Sequence, residues 1–339
     1  MLTRRHALAG GLGAVALAAP AAPMAAPAAA SLNDRMTGNL SPVHDPCIIK
    51  QGATYHLFCT SQASEKPGLI HWRTSPDLVT WTLVGAVMPA LPDWAQKEVP
   101  GTRGAWAPDI SLINGRYHLY YALSTFGKNR SVIALQTTAT LDRADPAFGW
   151  RDEGVVLASK SSDDFNAIDA NIVTTADGCV WMSFGSFWSG LKLIKIDPAT
   201  GKPKPGAPLT ALATRPRPDA IEAPYIIERQ GWFYLFASFD FCCRGADSSY
   251  YTVVGRSKDV AGPYVDRNGK AMMKEGGLIV LHADLDPAKR FKGPGHVAIL
   301  RDAGRDYIVY HAYDARKAGI PTLRIQPLAW TDDGWPVAV

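Results

Sequence analysis

Three carboxylates, Asp45, Asp169 and Glu222, stand at the head of similar short units, and Trp106 and His296 hold the corresponding place in two others. Carboxyls serve as proton donor and acceptor in one site once their surroundings drive their pKa values apart. Three of them converging on one pocket are costly, because like charges raise one another's pKa. A purely structural channel has no need of that expense. Any one alone could cap a strand end or hold a water. All three in register point to the acid/base set of a hydrolase.

The units that carry them are short strands joined by tight turns. Tyr117-His-Leu-Tyr-Tyr121, Trp232-Phe-Tyr-Leu-Phe236 and Tyr307-Ile-Val-Tyr310 are aromatic-rich and follow the turn signals Asn114-Gly115, Gln230-Gly231 and Gly304-Arg305. Trp106, Asp169 and Glu222 each precede such a turn glycine by nine residues, with Asp45 and His296 fitting more loosely at seven and eight. Units therefore begin near 45, 106, 169, 222 and 296, at spacings of 61, 63, 53 and 74 residues. Each opens with strand, turn, strand, and further strands follow, such as His71–Thr74, Thr80–Leu83 and Tyr251–Arg256. Units of this size with about four strands are blades of a β-propeller, so the expected fold is all-β, a five-bladed propeller with a central channel. An array of β-sandwiches is the runner-up, and it leaves the recurrent channel-facing position unexplained.

Composition agrees. Of 339 residues, 47% are apolar and 19% charged, as in a globular chain, and 30 glycines with 25 prolines imply many turns. The net charge of +4 includes Arg4 and Arg5, so the remainder carries only +2 and gives no sign of a nucleic-acid or membrane partner. Residues 1–30 have a basic start, an apolar run from Gly10 to Ala19 and small residues up to Ala30, the layout of an export signal. The Arg4-Arg5 pair resembles a twin-arginine signal, with an ordinary secretory signal as the alternative. Residues 31–339 then form a single catalytic propeller. The expected location is periplasmic or extracellular. Gly11-Leu-Gly13 matches a dinucleotide fingerprint by letters only, since no strand precedes it. The five cysteines form no C-x-x-C pair. Cys47 and Cys59 flank a hairpin, adjacent Cys242-Cys243 could form a vicinal disulfide, and buried free thiols are an equal alternative for each.

The chain resembles glycoside hydrolase family 43, in particular its endo-α-1,5-L-arabinanases. The resemblance rests on His44-Asp45-Pro46, Trp106-Ala-Pro-Asp109, Phe165-Asn-Ala-Ile-Asp169, Ile221-Glu-Ala-Pro-Tyr225 and Gly293-Pro-Gly-His296. Ser124-Thr-Phe-Gly127, Ser238-Phe-Asp-Phe-Cys-Cys243 and Asp333-Gly-Trp-Pro336 support it, in the family's order across nearly the whole chain after residue 30. It implies a five-bladed propeller, the fold the repeat gives independently. It also implies Asp45 as general base, Glu222 as general acid, Asp169 as the group that tunes and orients that acid, and inversion at the anomeric carbon. His296 is implied as the one protein ligand of a mostly water-coordinated calcium (or sodium) ion, an unusual set for a cation that prefers oxygen.

Sugar rings lie on aromatic faces while their hydroxyls seek fixed polar groups. Trp94, Trp106 and Phe126 are the stacking candidates, and His44, Asn166 and Ser186 the polar ones. Arg324 could cross the channel floor to a hydroxyl or pair with a carboxylate. The expected partners are arabinan and arabino-oligosaccharides, bound by a monomer. An exo-acting family 43 arabinofuranosidase or xylosidase keeps the chemistry and closes the groove. With the fifth blade ending near Pro336, no accessory domain is expected to do so. A non-catalytic sugar-binding propeller would not require the three carboxylates.

Overall fold

The computed structural model describes residues 31–61, 67–216 and 218–339; the segment 1–30, where the export signal was read, lies outside them. Five antiparallel sheets follow one another along the chain. Their first strands are Cys47–Gln51, Trp106–Ile113, Asn171–Thr174, Ile221–Arg229 and Phe291–Asp302. These five strands touch in a closed cycle, the fifth against the first. The expected five-bladed propeller is therefore the observed fold, with a central channel lined by first strands.

The outer strands agree with the sequence reading and extend it. Leu69–Ser75, Thr80–Met88 and Tyr251–Ser257 enclose the stretches expected there. Two of the tight turns fall at Asn114-Gly115 and Gln230-Gly231, where both central residues have positive φ, the backbone that matches strand twist in a hairpin. The third lies at Ala303-Gly304 rather than at Gly304-Arg305. Aromatic residues fill the seams between blades: Trp72 packs with Phe58, Phe148 and Trp150 in an apolar cluster that takes side chains from the first two blades.

The N-terminal stretch ties the ring shut. Thr37–Gly38 pairs in parallel with the outer strand of the first blade. The same stretch bonds the fifth blade, where Val43 N–H donates to Pro321, Leu323 N–H to Leu40, and Ile325 N–H to the buried Asn33 side chain at 2.8 Å. One short segment thus bridges first and last blades.

A backbone device recurs at the head of every blade. Asp45, Ala107, Asp169, Ala223 and His296 all have φ between 45° and 59°, although none is glycine. Each is followed three residues later by a buried isoleucine: Ile48, Ile110, Ile172, Ile226 and Ile299. In the second, fourth and fifth blades the pairing register slips at this point, which marks a bulge that bends the strand and re-aims its side chains. The structural register corrects the sequence alignment. Trp106 and Glu222 stand one residue before the left-handed position that Asp45, Asp169 and His296 occupy. A β-branched side chain is a genuine outlier at positive φ. Ala107→Val should therefore cost about 1–3 kcal/mol of stability, measurable as a lowered denaturation midpoint, whereas Ala107→Gly should not.

Candidate active site

The channel mouth gathers Asp45, Asp169, Glu222 and His296, as the repeat requires. Asp45 is the most heavily held. Its Oδ1 faces His44 Nδ1 at 2.8 Å and His296 Nδ1 at 3.1 Å, and its Oδ2 accepts from Thr60 Oγ1 at 2.5 Å. Thr60 in turn accepts the Ala107 N–H, so the neighbouring blade fixes its hydroxyl. Burial alone would raise the Asp45 pKa, but the charges and hydrogen bonds of His44 and His296 outweigh it and hold the carboxyl well below the usual range. The converse holds for His296. Burial opposes its charge, yet Asp45 first, then Asp169 and Glu222, push its pKa up to about 9.

The other two carboxyls go the opposite way. Burial raises Asp169 well above an ordinary aspartate, outweighing the opposing pull of His296, and the charges of Glu222 and Asp45 add to the rise. Burial likewise raises Glu222, against the hydrogen bond it accepts from Ser186 Oγ at 2.8 Å. Asp169 Oδ2 accepts the Ala223 N–H at 3.2 Å, which fixes it beside the acid's own backbone. Two neighbouring carboxyls that both resist ionisation share their protons and titrate as a unit. The surroundings therefore favour the ionised form of Asp45 and the neutral forms of Asp169 and Glu222.

The first strands are locked to one another below this site. Buried Asp109 accepts from Ile172 N–H at 2.9 Å and from Asn171 Nδ2 at 3.3 Å, and Asn171 Oδ1 accepts the Ile226 N–H at 2.8 Å. Side chains from the second and third blades thereby set the heights at which Asp169 and Glu222 enter the channel. Burial leaves Asp109 with a pKa of about 6.

The substrate candidates divide. Trp106 is half-buried at the head of the second blade, beside the mouth, and Phe126 is 82% exposed on the loop after Leu123. Asn166 is buried, its Oδ1 closed off from solvent and without a hydrogen-bond partner. Three candidates have other partners in the folded chain. Ser186 spends its hydroxyl on Glu222 and holds the acid. Trp94 gives its indole N–H to Asp152, on the outer strand of the second blade, and packs its ring on the core there. Arg324 lies on the third strand of the fifth blade, its guanidinium 3.8 Å over the Phe291 ring, rather than on a site carboxylate. His44 faces Asp45 and belongs to the base.

Sequence reasoning missed His311, Tyr313 and Thr60. Asp45 N–H donates to His311 Nδ1 at 3.1 Å, the His311 ring stacks on His44, and Tyr313 Oη lies 2.7 Å from His44 Nε2. The signal was present as His311-Ala-Tyr313 on a second strand, where period two puts both side chains on one face. Burial keeps His311 well below the ordinary histidine range, so it stays neutral and accepts.

For a cation, the donor set at His296 is meagre: one imidazole, whose Nδ1 faces Asp45 and whose Nε2 is the nitrogen left to ligate. Among the described residues, the metal-capable clusters are His44–Asp45–His311 and His44–Cys242–Cys243, and neither includes His296. Among the described residues, no cluster of three or more such side chains at His296 supplies the oxygens that calcium prefers.

The profile of glycosyl hydrolases family 43 matches residues 41–336. An extracellular endo-α-(1→5)-L-arabinanase of Bacillus subtilis (strain 168) is 41% identical over 296 residues, 87% of each chain. An extracellular exo-α-(1→5)-L-arabinofuranosidase of Cellvibrio japonicus is 39% identical over 306 residues, 87% of this chain and 85% of that one. Among solved structures, the α-L-arabinanase of Cellvibrio cellulosa complexed with arabinohexaose superposes with a TM-score of 0.82 at 39% identity, covering 88% of this chain and 96% of the other.

Proposed function

We propose, from the premise that this chain belongs to glycosyl hydrolases family 43 and is therefore a glycosidase, that it cleaves α-1,5-L-arabinofuranosidic bonds inside arabinan with inversion. The observation that carries the chemistry is the opposed state of the carboxyls. His44 and His296 favour ionised Asp45, while burial favours the protonated forms of Asp169 and Glu222. In an inverting hydrolysis the ionised member deprotonates the attacking water and the protonated member gives its proton to the departing oxygen, the two carboxyl groups standing about 6.5–9.5 Å apart to admit that water. Asp45 is the base. Glu222, aimed by Ser186, is the acid. Asp169, bonded to the Ala223 N–H, is fixed beside the acid and orients it.

Substrate assignment rests on the arabinan-active relatives and on the groups around the mouth. Exposed Phe126 and half-buried Trp106 offer faces for sugar rings. An aromatic ring standing free on a rim serves a chain that extends past the cleavage point, which supports endo action. Both relatives named above are extracellular proteins, and with the signal-like residues 1–30 this supports export of the enzyme. A calcium ion at His296 would have water for nearly all its ligands and would supply a positive charge near the carboxylates; every proton transfer here runs through side chains.

Digestion of linear α-1,5-arabinan tests the reading. The expected result is an early fall in viscosity with mixed arabino-oligosaccharides as first products. Arabinose or one fixed short oligosaccharide, released before the viscosity falls, would transfer the assignment to exo action. Bound but uncleaved arabinan would remove the enzymatic reading.

A further inference from the structure

The loop joining the second and third strands of the fourth blade, Asp240 to Tyr250, stands over the base side of the site and carries the vicinal disulfide Cys242–Cys243. Cys47, Cys59 and Cys179 take no part in a disulfide, so among the described residues Cys242–Cys243 is the only one. The loop is pinned at its base, where Phe241 C=O accepts both the Ser249 and Tyr250 N–H groups, and at its tip, where Arg244 N–H donates to Ser248. Cys243 itself has φ 66°, a conformation that a residue with a Cβ enters rarely and keeps only when its surroundings impose it. The small ring closed by the disulfide is such a constraint.

That conformation aims one group. Cys243 N–H donates to Tyr313 Oη at 2.8 Å, Tyr313 Oη meets His44 Nε2 at 2.7 Å, and His44 Nδ1 faces Asp45 Oδ1 at 2.8 Å. Cys243 Sγ also lies 3.8 Å from His44 Nε2. We propose that the Cys242–Cys243 ring and Tyr313 are positioning residues for the base: the disulfide fixes the Cys243 N–H, the N–H fixes the tyrosine hydroxyl, and the hydroxyl fixes His44 against Asp45. This rests on Asp45 being the base. Its consequence is a redox-sensitive rate. Reduction breaks the S–S bond, a dithiol reagent supplying two electrons and two protons and leaving as its own cyclic disulfide. Cys243 is then free to leave the left-handed region, and its N–H swings off Tyr313. The hydroxyl and His44 lose their shared orientation while the sugar-facing aromatics stay in place, so turnover falls and binding does not.

The test compares the oxidised full-length enzyme with the same enzyme reduced by dithiothreitol, and with Tyr313→Phe and Cys242→Ser/Cys243→Ser, on linear arabinan. Reduction should lower kcat about 5–10-fold at unchanged KM, the effect of losing one positioning hydrogen bond, and reoxidation should restore it. Tyr313→Phe should show the same loss and no further loss on reduction, because both changes break the same chain. The double serine variant should match the reduced enzyme; reduction of the wild type gives the same reading should that variant fail to fold. An unchanged kcat on reduction would overturn the proposal. So would a change confined to KM, which would place the disulfide on the sugar, or a Tyr313→Phe enzyme as sensitive to reductant as the wild type. Failure of the base assignment reads out separately, as near-normal turnover in Asp45→Asn.

Discussion

Glu222→Gln should lower kcat on arabinan by about 10²–10⁴-fold, the usual worth of a positioned proton donor, with KM near the wild-type value. Glutamine keeps the shape of the side chain, and its amide oxygen still accepts from Ser186, so the fourth blade has no reason to move. What it lacks is the proton. A leaving sugar alkoxide needs that proton at the moment the bond breaks, whereas a phenolate-type leaving group scarcely does. The deficit should therefore shrink sharply on an arabino-oligosaccharide carrying a good aryl leaving group. The pH profile gives a second reading. Because burial raises Glu222, the wild-type enzyme should keep its activity to higher pH than an ordinary glutamate allows and lose it as the acid finally ionises. Glu222→Gln should lack that alkaline limb. Equal deficits on both substrates, or an alkaline limb that survives, would assign the proton to another group.

Asp169 complicates that limb in a way the sequence did not reveal. Spacing placed three carboxylates in register and resemblance gave Asp169 a negative charge that keeps Glu222 protonated. The folded chain buries Asp169 so deeply that its own carboxyl resists ionisation. Burial of this kind comes from the closing of five blades on one another, and no local pattern in Phe165-Asn-Ala-Ile-Asp169 records it. The same limit explains Trp94 and Arg324. Each sits in a stretch whose letters match a substrate cleft, but side-chain direction is set by packing, which sent one indole to Asp152 and one guanidinium onto Phe291. Blade number, blade boundaries and the identity of the carboxylates were legible because the repeat forces them. The one-residue offset of Trp106 and Glu222 was legible too, since an isoleucine stands three residues after every left-handed position. The turn glycines, at variable distance, were the poorer ruler.

Asp45→Asn should have the second large effect, about 10²–10⁴-fold in kcat, and it tests the opposite face of the sugar. Asparagine can still accept from Thr60, but it can neither take a proton from water nor balance a protonated His296. Two readouts follow. In the wild type the acid limb of activity should lie well below the ordinary carboxylate range, because His44 and His296 hold Asp45 ionised, and activity should fall only as pH drops through that depressed value. In Asp45→Asn that limb should vanish from the residual activity. The second readout is His296 itself. Its pKa of about 9 depends first on Asp45, against a burial that opposes the charge. With asparagine in place the remaining charges of Asp169 and Glu222 are weakened by their own protonation, so the His296 titration, followed by its imidazole NMR signal, should move down by more than a pH unit. A His296 that still titrates near 9 in Asp45→Asn would show that the carboxylate is not its counter-ion. Near-wild-type turnover in the same variant would remove Asp45 from the chemistry. The two results bear on different links, since the histidine reports the electrostatics of the pocket and the rate reports the water. Both are expected to change together, because one oxygen, Asp45 Oδ1, faces both histidines that keep the base ionised.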